Sequence, residues 1–224
     1  MSEALLAAFE ATGDRSFLAR ARGIFDFFVG EMGRRHGWRL PEHFDERWQV
    51  DPSYEGNPMF RPAGSTPGHS FEFARLILQL HARAPDDALR SWATSLYERA
   101  LADGWDEARS GLVYTVDPQN GRVLRDNRYW WPVTEAIGAA AALIKLGDDR
   151  HGDYRRFWEA SERLFIDREH GGWLPEARAA DGSTGTQFAG KPDIYHSLQA
   201  ALLPLCPGIA VDAHGLRAIE AARP

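Results

Sequence analysis

Four pairs of amphipathic helical patterns recur along the chain at a nearly constant spacing. Residues 3–12 and 16–32 pair around "ATGDRS", and 67–84 and 88–104 around "APDD". Residues 130–146 and 152–168 pair around "LGDDRHG", and 193–205 and 215–222 around the Pro-Gly at 207–208. Glu3-Ala4, Glu72-Phe73, Glu135-Ala136 and Gln199-Ala200 hold matching places in the first helix of each pair, at spacings of 69, 63 and 64 residues. One hairpin cannot bury its apolar stripe alone, so a period of this length predicts helical hairpins stacked about a common axis. The connectors "HGWRLPEHFDERW" (36–48), "SGLVYTVDPQNGRVL" (110–124) and "GGWLPEARAADGS" (171–183) read as short extended segments leading into the next first helix.

The fold class is therefore all-α: a toroid of helical hairpins with short β segments at one end. At 224 residues the chain is expected to form a single domain spanning 1–224. If the first helices line the inside of the curve, their leading ends converge at one mouth. His69, Glu72, Trp130, Trp131, Glu135 and His196 all belong there.

Charge and composition remove several classes of function. A net charge of −6 with no basic stripe argues against nucleic acid as a partner. No apolar run is long enough to span a bilayer, and "MSEALLAAFEATGD" lacks the basic start and unbroken apolar stretch of a signal peptide. The single cysteine, Cys206, excludes an intramolecular disulfide framework and suits a reducing cytoplasm. There is no HExxH, paired CxxC or GxSxG pattern. No metal and no cofactor are expected.

Three clusters carry the chemistry. In "TPGHSFEFARL" (66–76), Thr66 and Pro67 open a helix, and His69 and Glu72 lie one turn apart on one face. The positive end of the helix disfavours an imidazolium, so His69 is expected to be neutral and able to act as a general base. The alternative is a histidine that only caps and packs. In "RYWWPVTEA" (128–136), neighbouring tryptophans point apart, so at most one is expected to face the cavity. Glu135, one turn after Trp131, could bind a hydroxyl lying against the indole, an arrangement that suits a carbohydrate. Here the alternative is two core tryptophans. In "GKPDIYHSLQA" (190–200), His196 occupies the place in its helix that His69 has in its own, against the alternative of a satisfied core histidine. Arg61, in "PMFRPAGSTPGH", is either an oxyanion partner or a surface arginine.

Taken together and in this order, "EALLAAFEATGD", "TPGHSFEFARLILQL", "RYWWPVTEAIGAA" and "KPDIYHSLQA" resemble the N-acylglucosamine 2-epimerase superfamily, which includes sugar 2-epimerases and mannose- and sulfoquinovose-type aldose–ketose isomerases. The resemblance covers nearly the whole chain and implies an (α/α)6 barrel of twelve helices. This chain provides about eight of them and matches the C-terminal portion of the family, so an incomplete barrel lacking the N-terminal repeats is expected. Its open edge invites a homo-oligomer that covers it.

By the same resemblance, His69 and His196 are the acid/base pair and Glu72 supports them, while Arg61, Trp131 and Glu135 lie on the substrate side. The implied reaction is proton transfer at C1/C2 of a small sugar through an enediol, mannose-isomerase-like in the first instance. N-acylglucosamine 2-epimerase activity, a non-catalytic sugar-binding remnant and a glycoside hydrolase or lyase using Glu72 and Glu135 are the alternatives.

Overall fold

In the computed structural model, residues 1–51, 54–58, 60–177, 188 and 190–222 are described. Four helical hairpins follow one another. They are α1 (Ser2–Thr12) with α2 (Ser16–Phe25), α3 (Pro67–Arg83) with α4 (Asp87–Gly104), α5 (Trp130–Lys145) with α6 (His151–Leu164), and α7 (Tyr195–Leu202) with α8 (Ala213–Ala221). The hairpin period read from the sequence is the architecture of the molecule.

Local chemistry sets the ends. Asp14 Oδ1 accepts the Ser16 N–H at 2.8 Å and Asp86 Oδ1 accepts the Ala88 N–H at 2.8 Å, which satisfies donors that the first turns of α2 and α4 leave open. Thr66 is extended, and Pro67, which has no N–H to lose, starts α3. Two elements depart from the expected pattern. The helix begun by α2 widens into a π-helical segment over Asp26–Gly33. Helix α6 stops at Leu164 rather than 168, because the Leu174 N–H donates to the Phe165 carbonyl at 2.6 Å and Ile166 bridges to Trp173.

Burial separates the inner from the outer helix of the third hairpin. From Trp130 to Leu143 every residue of α5 is buried, as expected of a helix packed on all sides. Helix α6, on the outside, buries only Phe157, Ala160 and Ser161. Between the layers Phe71 meets Tyr97 and Phe157 edge-on, with ring centroids 5.2 and 5.9 Å apart. Each such side chain removed from water contributes about 1.5–3 kcal/mol.

The connectors gather at the leading ends of the inner helices. Strand β1 (Trp105–Asp106) pairs antiparallel with β2 (Gly111–Leu112), and β3 (Thr115–Val116) with β4 (Val123–Arg125). Single bridges join Ser65 to both Pro41 and Val116, tying the first connector to the second just before α3 begins. The third connector is described only up to residue 177, where Tyr129 bridges to Glu176. Among the described residues, no helix is long and apolar enough to cross a membrane.

Candidate active site

His69 stands in the first turn of α3, with its Nδ1 2.9 Å from Oε1 of Glu42 in the first connector. The same Glu42 oxygen accepts the Thr66 N–H at 3.1 Å, so one carboxylate both caps α3 and fixes the imidazole. Burial alone would push His69 down. The charge and hydrogen bond of Glu42, helped by Glu72 and Glu135, outweigh it and raise the imidazole to about 9. This corrects the expectation of a neutral histidine, since a full negative charge at hydrogen-bond distance exceeds the partial charge of a helix end. At neutral pH His69 carries its proton.

His196, in the first turn of α7, repeats the motif: its Nδ1 lies 2.8 Å from Oε1 of Glu135 on α5. Trp131 joins the two. Its ring centroid is 4.8 Å from that of His69 and 5.7 Å from that of His196. Gly68 permits this approach, because a Cβ there would lie 2.6 Å from the Trp131 ring and 2.9 Å from Cβ of Pro132. Trp130 also reaches the cavity, edge-on to Phe188, so both tryptophans line it rather than one.

The basin has two compartments that share His69 and Glu72. One, of about 390 Å³, is bounded by Trp131, His196 and Phe188; the other, of about 650 Å³, runs along Glu42, Phe28, Met32 and Trp48. These volumes suit a small ligand. Burial first, and then the negative charge of Glu135, raise the Glu72 carboxyl above its usual range. A third cavity, of about 270 Å³, lies beyond Glu3 between α1, α3 and Ile209–Ala213. It contains no histidine, whereas His69 and His196 both line the basin. Among the described residues, no group of three or more His, Cys, Asp or Glu is placed to hold a metal ion.

Glu135, read from the sequence as a substrate-side group, is 1% exposed and has both oxygens engaged: Oε1 with His196, and Oε2 with Nε of Arg75 at 2.8 Å. Burial would raise its carboxyl, but the Arg75 charge and the His196 hydrogen bond bring it below the usual range. Arg61 is exposed, next to Phe60, and is not among the residues that line either compartment.

Two residues of the site escaped the sequence reading. No spacing marks Glu42, which comes from a loop 27 residues before His69. Arg75 left a signal: it is a cation inside the apolar run "FARLILQL", one turn after Glu72. It is fully buried, and its Nη1 reaches Oε1 of Glu3 at 3.4 Å, where Gln199 also donates at 3.0 Å. Glu3, Glu135 and Gln199, three of the matching positions of the repeat, are thus linked through Arg75 and one another.

Inner helices curled about an axis, with two carboxylate-held imidazoles at their leading ends, define an α/α toroid. The chain belongs to the N-acylglucosamine 2-epimerase (GlcNAc 2-epimerase) family, whose model matches residues 1–200. It is 41% identical over 217 residues to a D-mannose isomerase of Pseudomonas cannabina pv. alisalensis and 43% identical over 217 residues to one of Thermobifida fusca. Each alignment covers 92% of this chain and 52% of the relative. A crystal structure of D-mannose isomerase superposes with a TM-score of 0.80 at 29% identity, covering 89% of this chain and 52% of that one. The chain spans about half the length of the curated relatives it matches.

Proposed function

We propose that this chain carries an aldose–ketose isomerase site that interconverts D-mannose and D-fructose. The observation that carries this reading is the pair of imidazoles in one basin, each held at Nδ1 by its own glutamate, so that each offers Nε2 for chemistry. Relatives named D-mannose isomerase at 41–43% identity supply the substrate.

The two half-sites divide the labour. His69, charged at rest, donates its proton to the carbonyl oxygen at C1 of the open-chain aldose. His196 removes the C2 proton, and the C–H electron pair becomes the C1–C2 double bond of an enediol. Return of the proton from His196 to C1, and of the O2 proton to His69, gives the ketose and restores both residues. Trp131 offers an apolar face to the sugar C–H groups, and Glu72, which lines both compartments, binds a hydroxyl. A hydrolase would need Glu72 and Glu135 open to substrate as a pair, and Glu135 is sealed.

The test is a proton-NMR time course of the 224-residue chain with D-mannose in deuterium oxide. Fructose should accumulate while deuterium enters from solvent, and His196→Ala or His69→Ala should slow both by about 10²-fold or more. Failure to convert mannose or fructose would overturn the reading, and conversion of N-acetylmannosamine instead would replace it with 2-epimerase activity.

A further inference from the structure

We infer that Arg75 is a positioning residue of the His196 half-site: it fixes the Glu135 carboxylate and takes up its charge, so that His196 is oriented yet remains a proton acceptor. This rests on the isomerase reading above. The two half-sites share a bond and differ in its background. Glu42 has a backbone N–H and His69 as partners. Glu135 has His196 on one oxygen and a fully buried guanidinium on the other. A carboxylate whose charge is already matched orients an imidazole as well as a bare one does, but favours the imidazolium less.

The packing is built around that guanidinium. Gly138 stands one turn after Glu135, as Arg75 stands one turn after Glu72, so the two occupy the same place in successive repeats. A Cβ at Gly138 would lie 2.9 Å from Cδ of Arg75, and the glycine leaves the notch through which the side chain reaches Glu135. Glu3, on α1, holds the other side of the fork. Among the described residues Nη2 of Arg75 has no hydrogen-bond partner, so the guanidinium is placed for Glu135 at the expense of one of its own donors.

The charged groups that face His196 are Glu135 from α5, Glu72 and His69 from α3, and Asp193 ahead of α7. Arg75 acts on it through Glu135.

The experiment is an NMR titration of the full chain with 15N-labelled histidine, compared with Arg75→Met, Arg75→Lys and Gly138→Ala. In Arg75→Met the His196 midpoint should rise by about one pH unit or more while that of His69 stays in place. Arg75→Lys should return most of the difference, and the acid limb of kcat/KM for mannose should follow the His196 midpoint. Gly138→Ala, which leaves every charged group present but crowds Arg75, should shift His196 the same way by less, and it keeps the test available if Arg75→Met does not fold. A folded Arg75→Met, or failing that a folded Gly138→Ala, with an unmoved His196 midpoint would reduce Arg75 to a structural role. The titration needs no turnover, so it fails or succeeds separately from the isomerase reading.

Discussion

The His69 and His196 half-sites use the same contact, Nδ1 to a glutamate at 2.9 and 2.8 Å, and both rings lie beside Trp131. They differ in where the glutamate comes from. Glu42 belongs to a connector and keeps 16% of its side chain exposed, whereas Glu135 lies in the middle of a buried helix with 1% exposed. A loop carboxylate near water can remain charged with a histidine as its main partner. One sealed among α3, α5 and α7 needs a second, permanent cation, because the desolvation of a lone buried charge is prohibitive. Depth in the fold, more than the local contact, decides whether the glutamate has a histidine alone or a permanent cation as well for its counter-charge.

The largest break in this comparison should come from Glu135→Ala. It leaves Arg75, which is fully buried, with the more distant Glu3 and the charge of Glu72 in place of its close partner. Removing one member of a buried ion pair costs about 3–5 kcal/mol, so the urea midpoint should fall steeply with an unchanged slope. A loss below about 1 kcal/mol, within the range of an exposed pair, would show that the two half-sites are equally shallow. Gly138→Ala should cost less, about 1–3 kcal/mol, through overpacking against Arg75. Gly23→Ala in α2 is the control. Its Cβ meets nothing within 4 Å, so helix propensity should stabilise the chain by up to about 1 kcal/mol. Equal signs for the two substitutions would argue against a notch cut for the arginine.

The deep half of the site was the more legible in sequence, and the reason is geometric. Helical period fixes which residues share a face, so Glu72, Glu135 and Gln199 could be aligned by counting, and in the structure the inner helices bring Glu135, Arg75, Glu3 and Gln199 together. Arg75 and Gly138 lay in the same register and could have been paired as a side chain and its notch. Loop residues follow no such period. Glu42 is brought to His69 by bridges from Ser65 to Pro41 and Val116, contacts between connectors that spacing does not encode. The protonation of His69 was misjudged for the same reason: the helix end was visible in the sequence and the loop carboxylate was not. The π-helical widening after Phe25 also had no mark in the apolar pattern, which runs unbroken through "IFDFFVGEM".

The smallest effect on the fold and the sharpest on the shallow half-site should come from Glu42→Gln. The amide oxygen can still accept the Thr66 N–H and the Nδ1–H of a neutral imidazole, so α3 should keep its cap. What disappears is the charge. The His69 titration midpoint should fall from about 9 to 6.5 or below, since burial then acts with only Glu72 and Glu135 opposing it. His69 is raised in the folded state, so its pair with Glu42 stabilises the wild type below about pH 6.5, and that stabilisation fades as pH rises through about 9. The glutamate works at the other end. It is held below its ordinary value although burial alone would raise it, and its contribution is lost as acid protonates it. With 38% of the His69 side chain open to solvent, the change in stability should stay within about 1 kcal/mol. The wild type should therefore show a shallow decline in stability between pH 6.5 and 9 that Glu42→Gln lacks. Parallel curves for the two proteins across that window would mean that Glu42 does not set the charge of His69, and the contrast between the half-sites would vanish.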